Sequence, residues 1–209
     1  MIYLIGGPPK CGKTTLAKKL AREYQIPWIS ADTLQNIVWA YTPKEKHSVL
    51  FPHSYLRGAS NDEFYSKHSP QEIIKNYIAQ GETTYDAISM MAETYLTDKD
   101  DFIVEGYQVT PEILDRIFKK FGKEHVKAVF LVKYDEHKFI QDIHKSTTPN
   151  DWILRKTKDE ATYGRIAKMI AEYSHYFEEE AKKYGFKIFN MDNDFEKQIS
   201  TIEKDLKLE

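Results

Sequence analysis

Residues Gly7–Thr14 read GPPKCGKT, a gapless match to G-x-x-x-x-G-K-[ST]. Nothing else in the chain restricts its fold as much, because such a loop needs a strand before it and a helix after it. The flanks supply both. IYLIG is a strand-length apolar run, and TTLAKKLAREY puts Leu16, Leu20 and Tyr24 on one helical face. Gly7 and Gly12 let the backbone curl until successive N–H groups converge on phosphate oxygens, and the helix N-terminus adds partial positive charge. Pro8, Pro9, Lys10, Cys11 and Thr15 complete the candidate nucleotide-binding segment. Lys13 is expected to reach the β- and γ-phosphates and the Thr14 hydroxyl to ligate Mg²⁺. Cys11 lies beside the helix N-terminus and Lys13, a setting that favours thiolate. It is expected to titrate low and to be shielded from alkylation by ATP, the alternative being an inert small side chain.

Beyond the loop, short apolar runs alternate with longer helical patterns, which signals an α/β fold with a mostly parallel sheet. Five strands are expected, at Ile2–Ile5, Ile26–Ser30, Phe102–Glu105, Val126–Val132 and Phe186–Met191. None alternates strictly with polar residues, as expected when helices cover both faces. In SPQEII, Ser69 reads as an N-cap with Pro70 at the first helical position and Glu72 closing a capping box, and Gly81 as the helix end. Thr110-Pro111 opens another helix that Gly122 ends. Ile166, Ile170, Tyr173, Phe177 and Ala181 mark one long helix, and Phe195, Ile199, Ile202 and Leu206 the last.

The 209 residues suit one domain, 1–209, with room for an insertion. Two segments exceed a minimal strand–helix repeat. Residues 42–100 carry helical patterns but no strong strand, and are read as an acceptor-binding insertion. Residues 146–158, STTPNDWILRKTK, are polar, basic and turn-rich, with few apolar anchors, and are read as a lid expected to close on nucleotide. With 30 basic and 32 acidic residues the net charge is −2, which disfavours a dedicated nucleic-acid binder. No run approaches a membrane span. The N-terminus lacks a signal-peptide pattern, and one cysteine excludes an internal disulfide, so a cytoplasmic protein is expected.

The chain resembles a P-loop kinase of the adenylate-kinase-like group. The likeness rests on GPPKCGKT, WISADTLQ and DFIVEGYQVTPEIL and, in layout, covers the whole chain. It implies a three-layer P-loop NTPase fold with a five-stranded parallel sheet. It also implies transfer of the γ-phosphate of ATP, with Mg²⁺, to a small molecule or nucleotide. Asp32 stands just past the second strand, at the sheet edge where ligands bind. Its S-x-D context resembles polynucleotide-kinase and zeta-toxin types, in which such an aspartate takes the acceptor proton. Asp32 also stands where a helix N-cap would, and the sequence leaves both roles open. Glu105 closes the third strand, where it could act on Mg²⁺ or on the acceptor. E-G after an apolar strand resembles uridine kinase, and E-G-x-x-x-x-P resembles 2-phosphoglycerate kinase. Gly106 would then allow close backbone approach to the ligand. E-G-Y-Q departs from the G-F-P-R-like run of adenylate kinases.

Of five arginines, Arg155 and Arg165 flank the lid and are candidates to steady the transferring phosphoryl group. Arg57, within the insertion, is a candidate to grip an anionic acceptor. His47, His53 and His144 form no metal-ligand spacing and are expected to be exposed. Trp39, Tyr41, Phe51, Tyr55, Phe64 and Tyr65 are expected to form the insertion's own core rather than a base-stacking surface. The leading reading is an ATP:small-molecule phosphotransferase. A nucleotide-gated ATPase without an acceptor, and a toxin-like or nucleic-acid-end kinase, are the alternatives.

Overall fold

The computed structural model describes residues 1–149 and 151–206. In chain order, β1 (Ile2–Gly6) leads through the glycine loop into α1 (Lys13–Glu23), and β2 (Trp28–Ser30) into α2 (Ala31–Tyr41). Five helices then form the insertion: α3 (His47–Leu50), α4 (Pro52–Leu56), α5 (Asn61–Lys67), α6 (Pro70–Glu82) and α7 (Tyr85–Asp98). The chain returns to β3 (Phe102–Glu105), α8 (Pro111–Phe121), β4 (Val126–Val132) and α9 (Glu136–His144). The short α10 (Trp152–Lys156), the long α11 (Glu160–Tyr184), β5 (Ile188–Asn190) and α12 (Phe195–Leu206) complete it.

The five strands form one parallel sheet in the order β2-β3-β1-β4-β5. Strand β1 is buried along its whole length, with Ile2, Leu4 and Ile5 fully inaccessible. Helices α1 and α12 cover one face, joined by Lys19–Glu203 at 3.3 Å; α7, α8 and α11 pack on the other. Register sets the site. Ile5 lies opposite Glu105, Ser30 opposite Glu105, and Gly6 opposite Phe130. The carboxyl ends of β1, β2 and β3 therefore open at one edge, where Gly7, Asp32 and Glu105 emerge together.

Strands β3 and β4 match the expected ranges. Strand β2 is shorter, beginning at Trp28, because Pro27 has no N–H to donate and serves only as acceptor for Ile103 N at 2.9 Å. Ser69 caps α6 as expected, accepting from Glu72 N, but the Glu72 carboxylate turns to His68 Nδ1 at 2.8 Å rather than closing a capping box. Helix α6 runs through Gly81 and ends one residue later. Phe51, Phe64 and Tyr65 are buried as expected of an insertion core, whereas Tyr41 and Tyr55 are exposed. Among the described residues no helix is long and apolar enough to cross a membrane.

Candidate active site

The glycine loop packs tightly onto the sheet. Gly7 has φ +130°, and a Cβ there would stand 2.0 Å from the Leu131 carbonyl oxygen. Any side chain would push the loop off β4. Lys13 is buried and its Nζ donates to Pro8 O at 2.7 Å, so the ammonium is held over the curl of the loop. Thr14 Oγ1 donates to Glu105 Oε1 at 3.0 Å. Glu105 is 2% exposed. Burial raises its pKa, against the opposing pull of the Lys13 charge and the Thr14 hydroxyl.

These two oxygens fit Mg²⁺. Among the described residues no group of three His, Cys, Asp or Glu side chains could form a protein-only metal cage. A hydroxyl and a carboxylate at the loop supply the few protein ligands that Mg²⁺ uses when substrate phosphates and water supply the rest.

Asp32 is not the helix cap. Ser30 caps α2, its Oγ accepting from Asp32 N at 3.3 Å, and Asp32 stands in the first turn with its carboxylate free for other work. Its Oδ1 accepts from Gln108 Nε2 at 2.8 Å. Gln108 is fully buried and also donates to Gln35 Oε1 at 3.0 Å. Gln35 Oε1 accepts the Tyr107 hydroxyl at 2.6 Å, and Gln80 Nε2 donates to Tyr107 and Ser54. Asp32 is thus oriented by a buried polar chain that reaches into the insertion. Gly106 serves this packing more than the ligand: a Cβ there would meet Gln108 Oε1 at 2.4 Å and Ala31 Cβ at 2.7 Å.

A cleft of about 1630 Å³ joins these parts. Lys10, Lys13 and Thr14 line one end, Asp32 and Glu105 the middle, and His53, Arg57 and Tyr77 of the insertion the far end. The described part of the segment expected to act as a lid contributes to the cleft wall and is anchored. Ile153 is fully buried, and Asp151 and Thr157 nearly so, so one apolar and two polar side chains hold the segment down. Residue 150 of the expected lid lies outside the described residues. Lys10 Nζ meets Asp151 Oδ2 at 2.6 Å, tying lid to glycine loop. Burial works to raise the Asp151 pKa, but hydrogen bonds from Lys10 and Ser146 outweigh it and hold it below the ordinary value. Asn61, wholly buried, donates to Trp152 O at 3.2 Å and Thr157 Oγ1 at 2.8 Å and accepts from Arg57 Nη1 at 2.6 Å. Asn61→Ala is expected to destabilise the protein by about 1–3 kcal/mol, the cost of stranding buried partners. Urea denaturation measures this, and hydrogen exchange over 152–157 is expected to speed up.

Three expectations are corrected. Arg155 and Arg165 are exposed and do not line the cleft; Arg165 turns to Thr162 Oγ1 at 3.3 Å and Asp159 at 3.6 Å. The cations facing the cleft are instead Lys10, Lys13, Arg57, Lys133 and Lys156, among others. His53 is buried, not exposed, and stacks on Tyr77 at 3.7 Å between ring centroids. Cys11 is fully buried, and burial pushes its thiol up to about 11 despite the Lys13 charge. The curl of the loop turns this side chain into the core, so alkylation by iodoacetamide is expected to be slow and equally slow with Mg-ATP. A rate comparison with and without nucleotide checks it. Gln108, Gln35 and Asn61 carried no local signal; each bonds to a residue remote in sequence.

A family model described as ATPase family associated with various cellular activities (AAA) matches residues 3–151. Mevalonate-3-phosphate 5-kinase of Thermoplasma acidophilum is 24% identical over 198 residues, 92% of this chain and 89% of that protein. Adenylate kinase of Rickettsia akari is 28% identical over 143 residues, 65% of this chain and 54% of that protein. The fold is similar to that of shikimate kinase from Bacteroides thetaiotaomicron, with a TM-score of 0.55 and 18% identity over 100% of this chain and 99% of that one. With a glycine loop between β1 and α1, the Thr14–Glu105 pair at its mouth and a match across most of the chain, this protein belongs to the AAA/P-loop NTPase family.

Proposed function

We propose that the chain is a kinase that moves the γ-phosphoryl group of ATP to a hydroxyl of a small molecule. The observation that carries this reading is Asp32. It is a carboxylate with no cation paired to it among the described residues, held by Gln108 at 2.8 Å, midway along a cleft that continues past the glycine loop into the insertion. A nucleotide hydrolase needs neither the second half of that cleft nor a dedicated wall around it. The kinase relatives support the same reading.

The chemistry follows from placement. The loop amides and Lys13 bind the β- and γ-phosphates and neutralise their charge. Thr14 and Glu105 would hold Mg²⁺, which would neutralise charge on the phosphates. Asp32 accepts the acceptor's hydroxyl proton as the acceptor oxygen bonds to phosphorus. The bond from phosphorus to the β–γ bridging oxygen breaks, and ADP leaves. Most of the acceleration is positioning and electrostatics, because little covalent chemistry falls to the protein. The test is ADP release with Mg-ATP against a panel of nucleosides, nucleotides, sugars and phosphorylated metabolites. One or more acceptors are expected to raise release at least about tenfold above the acceptor-free rate, in line with catalytic assistance by a positioned base. A flat panel would leave an ATPase.

A further inference from the structure

The insertion's end of the cleft holds positive charge that the protein does not neutralise. Arg57 and Lys156 both line it, and among the described residues neither has a carboxylate within 4.0 Å. Arg57 uses one N–H on Asn61 and lies over the rings of Trp152 at 4.4 Å, Phe64 at 5.3 Å and Tyr65 at 5.6 Å. Those contacts fix the plane of the guanidinium and leave the rest of its fork without a protein acceptor. Lys156 stands one turn after Trp152 on α10, and Arg57 lies over the Trp152 ring at 4.4 Å, so the two cations share this end. Burial lowers the pKa of Lys156, and the charges of Arg57 and Arg155 lower it further. His53, 6% exposed, lines the same end, and its Nδ1 is buried with no hydrogen-bond partner. Burial, with Arg57 and His68 adding, holds its imidazole down at about 3. It is therefore neutral near pH 7 and can donate a hydrogen bond without adding charge.

We infer that Arg57 and Lys156, beside His53 in the cleft wall, form a subsite for an anionic group, and that the acceptor is a small hydroxy-anion whose hydroxyl lies at Asp32. This rests on the kinase reading above. Two like charges brought together without a counter-ion, beside an orphaned polar atom, fit a carboxylate or phosphate that forks across them. Arg57, Tyr77 and Asp32 line the same cleft, so an anion at Arg57 and a hydroxyl at Asp32 fall within one cavity. A nucleotide acceptor fits less well. Phe64, Tyr65 and Trp152 already carry Arg57, and His53 covers Tyr77, so the rings at this end are already engaged with one another and with Arg57.

The first arm of the test fills the glycine loop with Mg²⁺ and a non-hydrolysable ATP analogue and titrates the protein with inorganic phosphate and, separately, acetate by calorimetry. Saturable binding of one anion is expected. Arg57→Met is expected to weaken it at least about tenfold, the scale of a charged hydrogen bond lost. Lys156→Gln, which leaves the Asn61 and ring contacts intact, is expected to weaken it several-fold and keeps the test decisive where Arg57→Met fails to fold. No binding of either anion, or unchanged binding to Lys156→Gln, overturns the subsite. The second arm compares ADP release with hydroxy acids, phosphorylated alcohols, their uncharged amides or polyols, and nucleoside monophosphates. Stimulation by charged small acceptors over neutral ones supports the inference, and the better of carboxylate and phosphate names the group. Equal stimulation by neutral partners overturns the subsite and leaves the kinase reading standing, and preference for nucleoside monophosphates overturns the small acceptor. Anion binding lost in both variants, with no acceptor turned over, supports the subsite and overturns the kinase reading alone.

Discussion

Asp32→Asn is expected to lower phosphoryl transfer by roughly 10²–10⁴ while leaving ATP affinity nearly unchanged. The side chain keeps its shape and an oxygen for Gln108 Nε2, so the contact that orients it at 2.8 Å survives. What disappears is the basic carboxylate. Stability is expected to move little, because Ser30 caps α2 and its bond to the residue-32 N–H is untouched. Loss of the negative charge in the first turn of α2 costs about 0.3 kcal/mol at an exposed position. Asp32→Ala is expected to fall as far in transfer and to melt only slightly lower than Asp32→Asn, since neither variant removes a cap. The measurements are single-turnover transfer, nucleotide affinity and a melting curve on the same three proteins. Equal transfer by Asp32→Asn and the unsubstituted protein would remove Asp32 as the base, leave Glu105 or nothing in that role, and favour the ATPase reading.

Lys13→Ala is expected to lower transfer by at least about 10²–10³, the loss seen when one preorganised donor to developing charge is deleted. It removes a full positive charge from a buried position where the local dielectric is low, so Coulomb attraction to phosphate oxygens is strong. It also removes the Lys13 contribution that opposes the rise in the Glu105 pKa. Glu105 in this variant is therefore expected to hold its proton more firmly, and the Mg²⁺ requirement of any residual activity to shift to higher concentrations. The structural cost is the single bond to Pro8 O, about 1 kcal/mol. Turnover, Mg²⁺ titration and thermal melting together separate these effects. Undiminished turnover in a folded Lys13→Ala protein would remove the phosphate-loop reading.

Both predictions draw on residues whose positions were legible in the sequence, and on partners that were not. Strand β1, the loop, α1 and the helix starts at Ser69 and Thr110 are written locally. The cap and helix hydrogen bonds join residues three or four apart, and the apolar spacing of helix and strand alike has the period of a helix or a buried strand. The nucleotide end of the cleft and the two carboxylates could therefore be named from the order of residues alone. The end of the cleft formed by the insertion is built from contacts across long loops. Gln108 reaches Asp32 over 76 residues, Asn61 reaches Thr157 over 96, and Lys10 reaches Asp151 over 141. No short pattern encodes such meetings, because each depends on which helices the insertion packs against the sheet. The same packing decided the errors. A histidine in a polar-looking loop was buried by Tyr77, a thiol beside a cation was turned into the core, and Arg155 and Arg165 were left exposed and outside the cleft lining. Local order determined the loop and the chemistry of its nucleotide. Only the folded chain, by burying some charges and leaving Arg57 and Lys156 unpaired among the described residues, decided the charge at the end of the cleft where the acceptor is proposed to bind.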